Sequence, residues 1–198
     1  MPRVSQLDEK RKTLMPVVAR AFAELGYRRT TTAELAERCG VRENILYRLW
    51  PDKKAMFIAA IGYVYDLSVG TWTKLLARAN GSRTSAQRVL EYESTHHGEF
   101  GHYRIVFAGL SETDDADIHQ ALADMYRRFH AFIAGHIEGH RKGSKIKGMP
   151  KAEMAAWAFI GLGTVADISR ELGLVGNRRR STLMRAMGQF LLDERCVS

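Results

Sequence analysis

Apolar residues recur along most of the chain every three or four positions, the period of an α-helix with one buried face. The first stripe, Leu14, Val18, Phe22 and Leu25, predicts a helix over residues 8–25 that ends at Gly26. Similar stripes predict two short helices within 31–50 and further helices over 52–77, 85–97, 102–110, from about 117 to 140, 151–173 and 178–194. Period alone leaves a strand open at 102–110, but all its neighbours are helical. The predicted fold class is therefore all-α.

The stretch Thr30–Phe57 predicts two short helices, a tight turn and the start of a third helix. Thr31 and Glu34 have the spacing of a capping box, in which each side chain satisfies a backbone N–H at a helix start. Gly40 is placed to end that helix, since glycine adopts the left-handed conformation at little cost. Pro51 stops the next helix. Two short helices joined by a glycine-bearing turn make a helix-turn-helix, whose second helix fits the major groove of DNA.

Outward-facing side chains of the second helix suit contact with nucleic acid. Arg48 can donate to guanine or to a phosphate, Asn44 has the paired donor and acceptor that fit adenine, and Glu43 can accept from cytosine. Phosphate contacts position a protein without specifying sequence. The side chains suited to them are Thr32, Tyr47 and Lys53. The full set that we predict to contact DNA is Thr31, Thr32, Arg42, Glu43, Asn44, Tyr47, Arg48 and Lys53.

The same stretch resembles a known family. The motifs T-T-x-x-L-A-x-x-x-G-V, L-Y-x-x-W and P-D-K-x-x-M-F, within roughly residues 10–60, resemble the DNA-binding region of the TetR family of tetracycline-repressor-like transcriptional regulators. The chain departs from the family pattern at Cys39, Arg42, Leu49 and Trp50. Leu49 stands where the family usually has a polar residue that touches the DNA backbone. The resemblance implies a homodimeric regulator, a repressor, that binds a palindromic operator.

We therefore predict a DNA-binding head over residues 1–52 and a helical ligand-binding and dimerisation domain over 53–198. Broad apolar faces on the last two helices, about 151–173 and 178–194, predict a two-fold subunit interface, which the resemblance also implies. The resemblance further implies a small-molecule pocket whose occupation releases the operator. Residues that could line it, or that could equally be plain core, are Trp72, Tyr92, His96, Tyr103, Phe107, Met125, Phe129 and Trp157.

The net charge of +8 favours an anionic partner such as nucleic acid. Residues 1–60 hold 12 Lys and Arg against 7 Asp and Glu, so a net +5 lies on the segment with the motif. Cys39, which we predict to be buried, and Cys196 are too far apart to indicate a disulfide framework. The chain starts without a secretory signal, and the apolar runs Ala55–Tyr65 and Met154–Ala166 are shorter than the roughly 18 residues of a membrane span. We therefore expect a cytoplasmic protein.

Three patterns have alternative interpretations. Four acids within residues 112–117 could bind a hard cation, but negative charge is also favoured where a helix begins, and we prefer that interpretation. His136 and His140 share a helix face and could bind zinc if two further ligands were present; solvated or core-edge histidines are the simpler interpretation. The run G-x-G-x-x-A at 161–166 matches a dinucleotide fingerprint, but no predicted strand precedes it. We interpret its small residues as sites of close helix approach.

The competing function is an all-helical metal-dependent or hydrolytic enzyme, in which Asp114 or His136 would be catalytic. The sequence has no nucleophile elbow, no phosphate-binding glycine loop with a lysine and no pair of cysteine ligands. We therefore predict no enzyme activity, no cofactor and no metal. A second alternative is a dimerisation protein that has lost DNA binding. Outside the helices, residues 1–8 predict a loose basic arm and residues 141–150 a flexible basic loop.

Overall fold

The computed structural model describes residues 6–78, 81–142 and 149–193, and within these ranges all regular structure is helical. The nine helices of the described residues are α1 (Gln6–Arg29), α2 (Thr32–Arg38), α3 (Glu43–Leu49), α4 (Lys53–Ala77), α5 (Ser85–His96), α6 (Tyr103–Leu110), α7 (Ala116–Arg141), α8 (Ala152–Glu171) and α9 (Asn177–Asp193). The all-α prediction is confirmed, including the helix expected at 102–110.

Helix α1 differs from its prediction at both ends. It begins at Gln6, so the loose arm predicted over 1–8 is wrong for residues 6–8, and residues 1–5 lie outside the described ranges. Gly26, with φ 74° and ψ 172°, breaks the helical path as predicted, and a final turn continues to Arg29. Most of the predicted loop at 141–150 also lies outside the described ranges, as does Cys196.

The described residues divide into two compact units. The first contains the chain up to Leu67 together with Gly101–Met125, that is α1–α3, the first part of α4, α6 and the first part of α7. Its core holds three rings, in which the centroid of Phe57 lies 5.0 Å from Phe22 and 4.8 Å from Tyr27. Burying each phenylalanine contributes about 1.5–3 kcal/mol. The predicted head boundary at residue 52 falls inside this unit, because the start of α4 supplies Phe57 to the core of the head.

The second unit contains Ser68–Phe100 and the described residues from Tyr126 onward. It has a core of small and aliphatic side chains in which α9 packs on α5 and α8. The buried members of this core are Ala86, Leu90, Ala134, Ile137, Ala155, Ala156 and Leu192.

Two glycines of this unit allow neighbouring helices to approach closely. A Cβ added to Gly188 of α9 would lie 2.2 Å from Cδ1 of Leu90 on α5. A Cβ added to Gly163 of α8 would lie 2.9 Å from the ring of His97. Gly161, by contrast, has nothing within 4 Å of its Cβ position. Close approach is therefore confirmed for Gly163, whereas at Gly161 no neighbour lies close within the described part of the chain and close approach there stays a prediction.

Helix α4 is long and apolar enough, by length and composition alone, to cross a membrane. The sequence analysis did not find a stretch of this length because it counted only uncharged runs, and Asp66 and Lys74 interrupt the apolar residues of α4. Met56, Phe57 and Ile61 are fully buried within the first unit. Core helices of soluble proteins have the same length and composition.

The acidic run and the paired histidines have structural partners. The Asp115 carboxylate caps α7, since its Oδ1 accepts from the backbone N–H groups of Asp117 at 2.9 Å and Ile118 at 3.2 Å. The helix-start interpretation is thereby confirmed. His136 Nδ1 lies 2.8 Å from the Ser85 hydroxyl, and His140 contacts the hydroxyl of Thr84 and the carboxylate of Asp193. Among the described residues no group of three or more His, Cys, Asp or Glu side chains is arranged to hold a metal ion.

Candidate nucleic-acid interface

Helix α2 is fixed at both ends as the sequence predicts, with one difference. The Thr31 hydroxyl accepts from the Glu34 backbone N–H at 3.1 Å and so caps the helix. The Glu34 carboxylate, which a capping box would turn back to the cap, instead accepts from Arg38 Nε at 2.5 Å. Arg38 also donates to Glu24 of α1 at 2.5 Å, which ties the two helices together. At the other end, Gly40 has φ +63°, the left-handed conformation that the turn requires.

Helix α3 packs into the head through one side. Leu46 is fully buried, and Leu49 and Trp50 are only 2% and 6% exposed. Leu49 therefore belongs to the core, and a polar side chain at this position would lose that packing. Its backbone carbonyl accepts from Arg11 Nε of α1 at 2.7 Å. These contacts fix the orientation of α3 relative to α1.

The opposite side of α3 is open to solvent. Arg42, Asn44 and Arg48 are exposed, and none of their side chains makes a hydrogen bond or ion pair to another residue in the described part of the chain. Asn44 and Arg48 are four residues apart and so lie on the same face of the helix. Their donors and acceptors are available to a partner outside the chain, and a buried side fixed to α1 holds them in place.

The other polar residues of α3 are linked to α2. The Thr32 hydroxyl donates to Glu43 Oε2 at 2.8 Å, and the Tyr47 hydroxyl donates to Thr32 Oγ1 at 3.1 Å. These three side chains thus form a chain of hydrogen bonds from the start of α2 across to α3. Sequence reasoning treated each of them as a separate DNA contact. The structure places all three together and orients the Glu43 carboxylate before any DNA is bound.

Lys53 has internal partners. Its ammonium donates to the carbonyls of Tyr27 and Thr30, each at 3.1 Å, and lies 4.4 Å from the centroid of the Tyr27 ring. These contacts join the start of α4 to the turn between α1 and α2. An ammonium has three donors, so a third hydrogen remains for a phosphate.

Within the first unit, two groups of ion pairs connect α1 and the start of α4 to the acidic residues 112–117. Sequence reasoning missed both groups. Lys54 Nζ lies 3.1 Å from Asp115 Oδ2 and 2.6 Å from Asp117 Oδ2, and Arg28 donates to Glu112 at 2.7 Å. The hydrogen bond from Lys54, with further help from backbone N–H groups, lowers the pKa of Asp115. The acids therefore serve as partners for the basic residues of the head as well as a helix start. The sequence hints at these ion pairs only through the opposite charges of Arg28 and Lys54 and of the acids within residues 112–117.

The predicted ligand-lining residues fall in both units. Tyr103, Phe107 and Met125 belong to the first unit. Trp72, Tyr92, His96, Phe129 and Trp157 belong to the second. Trp72 is 6% exposed, whereas Trp157 is 47% exposed and stacks on His130 with 4.7 Å between ring centroids. His96 is also exposed, with its ring stacked on Tyr92 at 4.4 Å. The interior of the second unit therefore holds Trp72, while Trp157 lies on its surface.

Comparison with known proteins identifies the head. Residues 18–60 match the family model described as bacterial regulatory proteins, tetR family. The chain is 24% identical over 114 residues to the HTH-type transcriptional regulator YuxN of Bacillus subtilis, a match that covers 56% of this chain and 39% of YuxN. It is 38% identical over 92 residues to the nucleoid occlusion factor SlmA of Haemophilus ducreyi, covering 46% of this chain and 45% of SlmA. The chain thus matches less than half the length of either curated relative.

The fold has solved counterparts. The crystal structure of a TetR-family transcriptional regulator from Cytophaga hutchinsonii matches with a TM-score of 0.77 at 16% identity, covering 99% of both chains. At that identity the likeness is one of fold. The matched head carries the motif on which the resemblance was based, and it lies within a fold that TetR-family regulators share. Residues 18–60 therefore match the tetR family of bacterial regulatory proteins, and the described fold resembles that of a TetR-family regulator.

Proposed function

We propose that the chain is a ligand-responsive DNA-binding transcriptional regulator that represses by binding a palindromic operator as a homodimer in the cytoplasm. One observation carries the proposal most directly. Helix α3 presents Arg42, Asn44 and Arg48 to solvent without described internal partners, while its buried side is fixed to the head. A recognition helix requires a buried side that fixes its orientation and an exposed side whose polar side chains are left unpaired for DNA.

Within this proposal, Arg48 and Asn44 read bases. Arginine pairs with guanine and asparagine with adenine through two hydrogen bonds each. Glu43 is oriented by Thr32 and accepts from a cytosine amino group. Thr31, Thr32, Arg42, Tyr47 and the remaining donor of Lys53 contact phosphates. The net +5 on residues 1–60 supports this assignment because it attracts the DNA backbone.

Dimerisation is proposed through α8 and α9. Large apolar side chains are exposed at helical spacing along α8 and at the residue that follows it: Met154 (64%), Trp157 (47%), Val165 (54%), Ile168 (39%) and Leu172 (65%). On α9, Leu183, Met187 and Phe190 are each 44% exposed. Gly161 lies in the middle of the α8 stripe with open space at its Cβ position, where the backbone of a partner helix can approach. Many large exposed apolar side chains on two helices that pack together are typical of a subunit interface.

A symmetric dimer presents two α3 helices to the same side of a DNA duplex. Half-sites about one helical turn apart, or somewhat more, follow from that geometry. A small molecule that binds the DNA-incompetent arrangement more tightly would release the operator by shifting the population. The ligand-lining residues proposed from the sequence remain part of this proposal. Two pairs of their rings pack together in the second unit, Trp72 with Phe129 at 5.9 Å and Tyr92 with His96 at 4.4 Å between centroids. No catalytic residue, metal or cofactor is assigned.

Selection of bound sequences from random duplex DNA tests the proposal. The wild-type protein should enrich an imperfect palindrome with two half-sites. Asn44→Ala should erase the preference at the same base pair of each half-site while the rest of the palindrome persists. Recovery of no enriched sequence, with only salt-sensitive general binding, would contradict the proposal.

A further inference from the structure

Glu43 opens α3 and is the only acidic residue of that helix. It is exposed, and its Oε2 accepts a hydrogen bond from the Thr32 hydroxyl at 2.8 Å. In the described part of the chain its side chain makes no other hydrogen bond or ion pair, although the exposed Arg42 directly precedes it. The carboxylate is therefore held by a neutral donor and is not neutralised by a neighbouring cation.

A carboxylate on a surface that faces DNA restricts what can bind there. Phosphates attract the basic residues of the head and repel the Glu43 side chain. A carboxylate is also an acceptor only, so guanine and thymine, which present acceptors in the major groove, leave it without a partner. Cytosine presents its N4 amino group there. Glu43 therefore favours cytosine twice, by accepting from the amino group and by rejecting bases that offer acceptors.

The hydroxyl that holds Glu43 can serve only one acceptor. A threonine hydroxyl has one hydrogen, and that of Thr32 is donated to Glu43. The Thr32 oxygen in turn accepts from the Tyr47 hydroxyl at 3.1 Å. A phosphate contact through the Thr32 hydroxyl would take its hydrogen and release Glu43. Tyr47, in contrast, can turn its hydrogen to a phosphate while Thr32 continues to hold Glu43.

The place of Glu43 in the head suits base reading. Recognition helices contact base edges with their N-terminal residues. Glu43 is the first residue of α3 and Thr32 the first residue of α2, so their hydrogen bond joins the starts of two helices that pack together. An unrestrained glutamate would lose rotamer freedom on binding. The bond to Thr32 fixes the carboxylate before DNA arrives and so reduces that loss.

We propose that Thr32 is a positioning residue for base reading, and that through Glu43 it makes operator binding depend on the N4 amino hydrogen of one cytosine in each half-site. The inference rests on the proposed function and refines it, since it assigns the Thr32 hydroxyl on the bound operator to Glu43 instead of a phosphate. A methyl group on cytosine N4 replaces the hydrogen that faces the major groove, while the other N4 hydrogen still pairs with guanine. Methylation of N4 therefore weakens binding, which makes the operator responsive to modification of this base.

Fluorescence anisotropy on the operator enriched from random DNA tests the DNA side. The cytosine is located as the base pair at which Glu43→Ala loses its preference in the selection. Three duplexes then carry cytosine, N4-methylcytosine or 5-methylcytosine at this position. N4-methylcytosine should weaken wild-type binding roughly fivefold or more, whereas 5-methylcytosine, which keeps the N4 hydrogen, should not. Equal weakening by both modified bases, weakening by neither, or a Glu43→Ala variant that loses preference at no base pair would overturn the inference.

Thr32→Val keeps the shape of the side chain and removes its hydroxyl. It should bind the N4-methylcytosine duplex as wild type does and the unmodified operator more weakly, so that the preference between them falls roughly threefold or more. Thr32→Ser keeps the hydroxyl and should retain the wild-type preference. Thr113→Val, at an exposed threonine of the first unit outside α2 and α3, is the matched control and should also retain it.

The preference compares two duplexes bound by one protein, so a change in the folded fraction does not affect it. If the Thr32 hydroxyl contacts a phosphate or only stabilises the head, Thr32→Val should lose affinity equally for both duplexes. That result, or an unchanged preference in Thr32→Val, would overturn the inference. Enrichment of a palindrome by the wild-type protein does not depend on these preferences, so the regulator proposal stands or fails separately.

Discussion

The most quantitative prediction concerns Gly188. Substitution by alanine should lower the free energy of unfolding at Gly188 but raise it at Gly135. Replacing Gly188 by alanine puts a methyl group 2.2 Å from Cδ1 and 3.0 Å from Cδ2 of Leu90. Leu90 is 7% exposed and lies in the core of the second unit, so its side chain has little space to move. Extra methyl groups in a packed core cost about 1–3 kcal/mol. Alanine in a helix interior regains about 1 kcal/mol relative to glycine.

Gly135→Ala is the matched control. Gly135 is in the interior of α7 and has nothing within 4 Å of its Cβ position. Alanine there gains the helix propensity without the clash and should stabilise by about 0.5–1 kcal/mol. The propensity gain is common to both variants, so their difference isolates the steric cost, and Gly188→Ala should be less stable than Gly135→Ala by about 1–3 kcal/mol.

Urea unfolding followed by circular dichroism measures this difference at one fixed protein concentration, since the proposed dimerisation would make stability depend on concentration. The double variant Gly188→Ala with Leu90→Ala supplies a further check. Removing the Leu90 side chain removes the clash, so adding Gly188→Ala to a Leu90→Ala background should no longer destabilise. A Gly188→Ala variant as stable as Gly135→Ala would refute the close packing of α9 on α5.

Two further predictions follow from the second unit. Leu172→Glu combined with Phe190→Glu puts charge on the exposed apolar side chains at α8 and α9 and should convert the proposed dimer to a monomer in sedimentation experiments. Leu110→Glu, at an exposed position of α6, should leave the dimer intact. A double variant that remains dimeric would exclude this interface. Burial opposes the charge of His97, but hydrogen bonds to the carboxylates of Asp167 and Glu93 outweigh burial and raise the pKa of His97 to about 10 in the folded state. The stability that it contributes is therefore complete below pH 6.5 and is lost as pH rises toward 10. Urea unfolding from pH 6 to pH 10 should therefore show a larger loss for wild type than for His97→Gln, and parallel losses would count against the buried imidazolium.

Local patterns predicted the helices and the helix-turn-helix well, for a physical reason. The stripe of Leu14, Val18 and Phe22 and the glycine at position 40 report on neighbours within one or two turns of the chain. Leu49 departs from the family pattern, and its burial shows that an apolar residue there adds to the core.

Contacts between distant segments could not be predicted in the same way. The ring of His97 pairs with the carboxylate of Asp167, which lies 70 residues later in the chain. Lys54 and Asp115 are 61 residues apart, and no periodicity relates them. Lys53 has the charge of a phosphate ligand, yet two carbonyls of the head occupy most of its donors. Partners of this kind depend on how the helices pack, and the periodicity of the sequence does not specify that packing.

The central claim is that α3 reads DNA sequence through side chains that the head leaves unpaired. Fluorescence anisotropy at one salt concentration should compare wild type, Arg48→Ala and Arg83→Ala on the selected operator and on a scrambled duplex. Arg83 is exposed in the second unit and provides the same change of charge away from α3. Loss of a bidentate guanine contact costs about 1–3 kcal/mol, so Arg48→Ala should bind the operator roughly 5- to 150-fold more weakly while changing little on the scrambled duplex. Arg83→Ala should bind both duplexes almost as wild type does. An equal loss on both duplexes for Arg48→Ala, or no loss on the operator, would contradict the account.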